Sequence, residues 1–175
     1  MGKGVTFGKN VSIRFPERVQ IGRGVIFGDH IEINNGKDSI LVIGDYAEIG
    51  SHSIININYK GRCYIGNRSK INKFNFVSCN NLIKIGDDVM TAAFCHILDA
   101  NHGMKRTDIM RDQRKIFRET HIGNDVWIGS NCVILAGSHI GNGVVVAAGS
   151  VTHGVLDDYG IYAGNPCVKK KERQN

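Results

Sequence analysis

The sequence predicts an all-β fold, a prism of stacked triangular coils, on three observations. Glycine directly follows aliphatic residues unusually often, aliphatic residues recur at every sixth position, and the sixfold runs group in threes. Glycine supplies 22 of the 175 residues, where roughly 7% is usual. Ile-Gly pairs begin at Ile21, Ile43, Ile49, Ile65, Ile85, Ile122, Ile128 and Ile140. From Ile122 the aliphatic heads run Ile122, Ile128, Ile134, Ile140 and Val146 without a break. A six-residue period is neither the 3.6 of a helix nor the alternation of an ordinary strand.

Phe7 and Ile13 open the series, followed by Ile21, Phe27 and Ile33; Ile43, Ile49 and Ile55; Ile65, Ile71 and Val77; and Ile85, Thr91 and Ile97. Three six-residue units make one coil of 18 residues, with three short strands and a tight corner after each. Coils starting at 21, 43, 65 and 85 exceed 18 residues by 4, 4, 2 and 19, and each excess falls after the third unit. One edge of the prism therefore carries every insertion, as in solenoids. The heads point inward, and a small or branched residue four positions on fills the narrow interior, as at Val25, Ala47, Ser53, Val126, Cys132, Val144 and Ser150. Rungs stack about 4.8 Å apart, with backbone bonds running between coils. The expected organisation is one domain over 1–168 with a long loop at 103–120, then a basic tail at 169–175. That polar tail is expected to close one end of the stack, where strand edges would otherwise be bare.

Composition excludes several classes. At 42% hydrophobic and 22% charged the chain is too apolar to be disordered, and no run of about 18 apolar residues exists to span a bilayer. No basic, apolar, small-residue leader begins at Met1, so a cytoplasmic location is expected. Five cysteines (Cys63, Cys79, Cys95, Cys132, Cys167) lack disulfide-framework or metal-ligand spacing and read as small core fillers. Only five threonines occur, in no array, which argues against an ice-binding prism. No strand face interleaves basic and aromatic residues as a nucleic-acid binder would.

The string IGNDVWIGSNCVILAGSHIGNGVVVAAGSV from Ile122, followed by YAGNPCVKK, resembles the closing coils and tail of the galactoside, maltose and surface-polysaccharide O-acetyltransferases. These are hexapeptide-repeat acyltransferases, and the resemblance covers nearly the whole chain from Phe7. It implies a left-handed parallel β-helix, a handedness that periodicity does not reveal and that opposes the general right-handed crossover preference. It also implies acetyl-CoA as cosubstrate, and a homotrimer with three grooves, each shared by two subunits.

His102 follows Leu98-Asp99-Ala100-Asn101 at the mouth of the long loop. An imidazole there can accept a proton from a hydroxyl at neutral pH, as attack on a thioester carbonyl requires. The motif resembles the family's Asn-His or Gly-His pair, which makes His102 the catalytic base. No Ser-His or Cys-His nucleophile pair is evident, so direct transfer without a covalent intermediate is expected. The resemblance puts Asn75, after Phe74, on the acceptor side, and Asp99 and Asn101 beside His102 orienting it or the acceptor. It puts Trp127, which points opposite to the aliphatic heads, beside the pantetheine arm, with Ser130 and the main chain at Ala148 and Gly149 along it. An oxyanion is expected at a backbone N–H near Gly129 or Ser130. Gly164-Asn165-Pro166 resembles the motif under the adenine, and Lys171 falls where the family has a basic residue near the 3′-phosphate, with Lys169, Lys170 and Arg173 adjacent. The chain departs from many relatives in having His153-Gly154 where they have Thr-Lys.

The rival enzyme is a γ-type carbonic anhydrase, suggested by His96, Asp99 and His102 at intervals of three; that family's paired ligands are five apart, so no metal is expected. A non-enzymatic β-helical scaffold is the rival from another class. Among acyl transfers, repeats that begin by Phe7 favour compact enzymes acting on surface-polysaccharide sugars, with antibiotic or other xenobiotic acetyltransferases and N-acylation of an amino sugar as alternatives. The net charge of +6 resides in two segments. Six cations face two carboxylates between Gly103 and Arg118, and four face one from Lys169 to Arg173. The tail cluster suits CoA phosphates, and the loop cluster suits an acidic sugar acceptor or is a solvated loop.

Overall fold

A computed structural model describes residues 1–174; position 175 of the expected tail lies outside the described residues. The chain is all-β and forms a left-handed parallel β-helix. Its three faces are sheets of nine, seven and seven strands. The first face stacks Thr6–Phe7, Ile26–Phe27, Glu48–Ile49, Lys70–Ile71, Met90–Thr91, Trp127–Ile128, Val145–Val146 and Gly160–Ala163. The second runs from Ser12–Arg14 to Val151–Thr152, and the third from Val19–Ile21 to Val155–Leu156. Every strand pair in these faces is in parallel register with the coil below, except the last pair of the first face. No helix among the described residues is long and apolar enough to cross a membrane.

From Phe27 onward the sixfold heads form the core as expected: Ile33, Ile55, Ile71, Val77 and Ile134 are fully buried, with Val25, Ala47, Cys132 and Val144 filling the space between them. Phe7, in the first coil at the open end, is exposed, and Ile13 and Ile21 are only partly buried. All insertions lie at the corner between the second and third faces. The corner between the third and first faces explains six of the eight Ile-Gly pairs, those at Ile21, Ile43, Ile65, Ile85, Ile122 and Ile140. There the N–H of Arg23, Asp45, Asn67, Asp87, Asn124 and Asn142 each donates to the side-chain oxygen of the Asp or Asn one coil further on, at 2.6–2.9 Å. The glycine must precede it because a Cβ on Gly44 would lie 2.7 Å from the Asn67 nitrogen.

At the corner between the first and second faces, His30, His52, Phe74 and Phe94 all have φ between 55° and 63°. Bulky residues avoid that left-handed region. Stacking of the rings at 4.9–5.0 Å offsets the strain.

The basic tail is not a free cap. Val168–Glu172 is an exposed antiparallel strand on the edge of the first face, pairing Lys171 with Ile161. It covers a bare strand edge, and its run of lysines disguises the alternation of a strand.

Candidate active site

The excursion at the insertion corner starts earlier and ends earlier than 103–120. Ala100–Asn101 already pairs antiparallel with Ile116–Phe117, and Thr120 is buried in the third-face strand Thr120–Ile122, its hydroxyl donating to the Leu98 carbonyl at 2.7 Å. A threonine whose hydroxyl is satisfied within the coil can sit inside, which position in a polar loop does not reveal. Gln113 holds the loop together. Its Oε1 accepts from the Lys105 N–H at 2.8 Å, and its Nε2 donates to the carbonyls of Lys105 and Asp108, both at 2.9 Å. Gly103 is buried against it, and a Cβ there would meet the Gln113 Cβ at 2.8 Å.

His102 is exposed and opens into a cavity of about 430 Å³ walled by Tyr59, Arg111, Arg114, Lys115 and Phe117. Tyr59 comes from the four-residue insertion two coils below, a residue the sequence reading passed over. Its ring lies 5.7 Å from that of Phe117, and the Lys115 ammonium sits 5.6 Å from its centre. Three of the loop's six cations thus face His102's cavity, while Arg118 packs over Gly137. Loss of the Gln113 amide in Gln113→Ala should loosen this wall. A rise of about three- to tenfold in acceptor KM with little change in melting temperature is expected, readable by steady-state kinetics and a thermal scan.

Two of the expected acceptor contacts are corrected. Asp99 is fully buried, and its carboxylate accepts from the N–H groups of Asn80 at 2.8 Å and Asn81 at 2.7 Å and from the Asn80 amide at 3.2 Å. It pins the insertion corner of the coil below and faces away from His102's cavity. Asn75 is 2% exposed, with its amide donating to the carbonyls of Asn72 and Ala92 and its Oδ1 accepting from the Cys95 N–H at 2.8 Å. Phe74, not Asn75, takes the left-handed corner conformation. Asn101 is exposed and adjoins His102, so it alone of the three can reach a ligand. His96, Asp99 and His102 do not converge: His96 packs on Phe76 on the second face and Asp99 points inward.

Trp127 stands out from the first face, 51% exposed. Its column continues through Val145 and Ile161 to Lys171, three steps of about 4.8 Å. Beside it lies a shallow groove of about 280 Å³ lined by Met90, Trp127, Val145 and Arg173. Ser130, Ala148 and Gly149 lie at the neighbouring corner, where Gly149 donates to the Ser130 carbonyl at 2.8 Å and has open space around it. Gly129 is buried and its N–H already donates to the Val146 carbonyl at 2.8 Å, so of the two proposed oxyanion donors only Ser130 stays open. The tail's cations are likewise reduced: Lys169 pairs with Glu172 at 2.6 Å and Arg173 with Asp125 at 2.8 Å, leaving Lys170 and Lys171 for a phosphate.

Within one chain the two groups of residues are separated. His102 is on the corner between the second and third faces, whereas Trp127, Lys171, Ser130, Ala148 and Gly149 lie on the first face or its corner with the second. Between them the second face presents the column Ile54, Phe76, His96, Val133 and Val151, apolar and half-buried except at the exposed His96. The thiols of Cys63, Cys79, Cys95 and Cys132 are fully buried, out of a substrate's reach, although the hydrogen bond with Cys95 lowers Cys132 to about 7. Burial, reinforced by Asp99, pushes Cys63 up to about 12, and burial also raises Cys79. The Cys132 thiol donates to the Ala147 carbonyl at 3.1 Å, and that of Cys95 to the Gly129 carbonyl at the same distance.

A solenoid of six-residue repeats bearing one histidine at a loop mouth, and on another face a groove with a small-residue corner beside it, defines a class, and comparison with known proteins agrees with it. Residues 119–154 match the family described as bacterial transferase hexapeptide (six repeats). The chain is 33% identical over 157 residues to a protein of Mycobacterium tuberculosis named as a probable acetyltransferase, covering 88% of this chain and 52% of that one. It is 32% identical over 121 residues to WbbJ of Escherichia coli K12, named for O-acetyl transfer in lipopolysaccharide biosynthesis, covering 63% and 62%. It thus spans about half to three fifths of these curated relatives. Its fold is shared with the N-acyltransferase AntD of Bacillus cereus, solved with dTDP-4-amino-4,6-dideoxyglucose and coenzyme A, at a TM-score of 0.66, 22% identity, and 99% and 83% coverage. Over these regions the chain is similar to hexapeptide-repeat acyltransferases.

Proposed function

We propose that this protein transfers the acetyl group of acetyl-CoA to a hydroxyl of an acidic sugar acceptor, a surface polysaccharide or its precursor, in the cytoplasm. His102 removes the acceptor's proton, the alkoxide oxygen attacks the thioester carbonyl, and the CoA thiolate leaves and takes up a proton. Acetyl-CoA binds along the Trp127 column, with its pantetheine against Ser130, Ala148 and Gly149 and its 3′-phosphate at Lys171. Asn101 borders the acceptor. The site is completed by a second copy, in a homotrimer packed through the second-face column that carries Ile54, Phe76, His96, Val133 and Val151. The separation of His102 from the Trp127 groove within one chain supports this, as do the names of the relatives.

The observation that carries the choice of acceptor is the set of Arg111, Arg114 and Lys115 walling His102's cavity against a single carboxylate, Asp112. Replacing all three cations by glutamine should raise the acceptor KM at least about tenfold and leave the acetyl-CoA KM near its starting value. Equal changes in both would contradict an acidic acceptor. The acceptor itself is found by following thiol release from acetyl-CoA across a panel of neutral, acidic and amino sugars.

A further inference from the structure

We infer that the acceptor is carried on a nucleoside diphosphate, whose base stacks on Tyr59 while Arg111, Arg114 and Lys115 hold the two phosphates; this rests on the transfer reading proposed above. Tyr59 adopts φ 53°, a conformation that costs a bulky residue free energy, yet it is 59% exposed and its hydroxyl bonds to nothing among the described residues. Core packing therefore does not explain an aromatic ring at this insertion. What the ring does is form the cavity wall facing His102, together with Phe117.

Its surroundings choose among ligands. A neutral sugar could lie on an aromatic ring but would leave three cations without partners, and a single uronate would occupy one of them. Two guanidinium forks and an ammonium match the oxygens of a diphosphate. Lys115 already rests over the Tyr59 ring, so a base taking its place would release the ammonium toward a phosphate close by. The cavity, about 430 Å³, falls in the range of roughly 300–1,000 Å³ typical of sites that enclose a whole small molecule. A second cavity of about 520 Å³ on the loop shares Arg114 and Lys115 and adds Lys105, with the carboxylates of Asp108 and Asp112 also in its lining.

The test is calorimetric titration of UDP and of dTDP into the whole protein, with CoA saturating. At least one should bind. Tyr59→Ala should weaken it about tenfold or more, and Tyr59→Phe should retain it with an unchanged melting temperature. Absence of binding by both nucleotides, equal affinity in Tyr59→Ala, or loss of nucleotide binding when CoA is added would overturn the inference, the last by assigning the cavity to CoA. Nucleotide binding without any acetyl transfer to nucleotide sugars would instead overturn the transfer reading and leave the cavity's ligand class standing. Transfer to free sugars without nucleotide binding would do the reverse.

Discussion

His102→Ala is expected to lower acetyl transfer about 100- to 10,000-fold, the range removed with a general base, while CoA affinity changes little. The residue is exposed in its cavity and lies a face away from the Trp127 groove, so its loss should leave the groove and the coil stacking unaltered. No serine or cysteine lines the same cavity, and Asp112 is its one carboxylate, so the variant separates the imidazole from Asp112 as the group that takes the proton. Turnover and calorimetric CoA binding on one preparation read both quantities. Unchanged turnover would remove His102 from the chemistry.

Asp99→Ala is expected to be the most destabilising polar substitution in the insertion corner. The carboxylate is fully buried and satisfies two backbone N–H groups and one side-chain amide of Asn80 and Asn81. Truncation leaves those donors buried without partners, a loss of about 3 kcal/mol. For a chain of this size the melting temperature should fall by about 6–12 °C. Asp99→Asn should fall less, since its amide oxygen still accepts from one N–H while its amide nitrogen faces the other. A variant that melts like the parent but loses activity would return Asp99 to the acceptor site.

The architecture was legible because one head in every six residues must face a narrow interior, and that constraint survives every insertion. Excess residues counted between coils therefore located the loop corner and His102 with it. Inside and outside were harder to separate for polar residues. Asn75 and Asp99 neighbour candidate site motifs in sequence, but the tight turns of each coil leave N–H groups facing the interior, and these side chains satisfy them there. Gly129 was misplaced for a similar reason: its N–H belongs to the bonds between coils. Tyr59 was missed because it reaches the cavity from two coils below, a proximity created only by stacking. The tail strand was hidden by its lysines, whose side chains alternate across an edge with no buried face to mark the period.

Co-expression of His102→Ala chains with Ala148→Trp chains addresses the shared site. Ala148 is exposed, so the indole should block the pantetheine path without disturbing the core. Each variant alone should be inactive in thiol release, and randomly mixed trimers should regain about a quarter of the parental activity, because some sites then join an intact His102 to an intact groove. No recovery in mixtures that demonstrably contain both chains would contradict a site built from two copies.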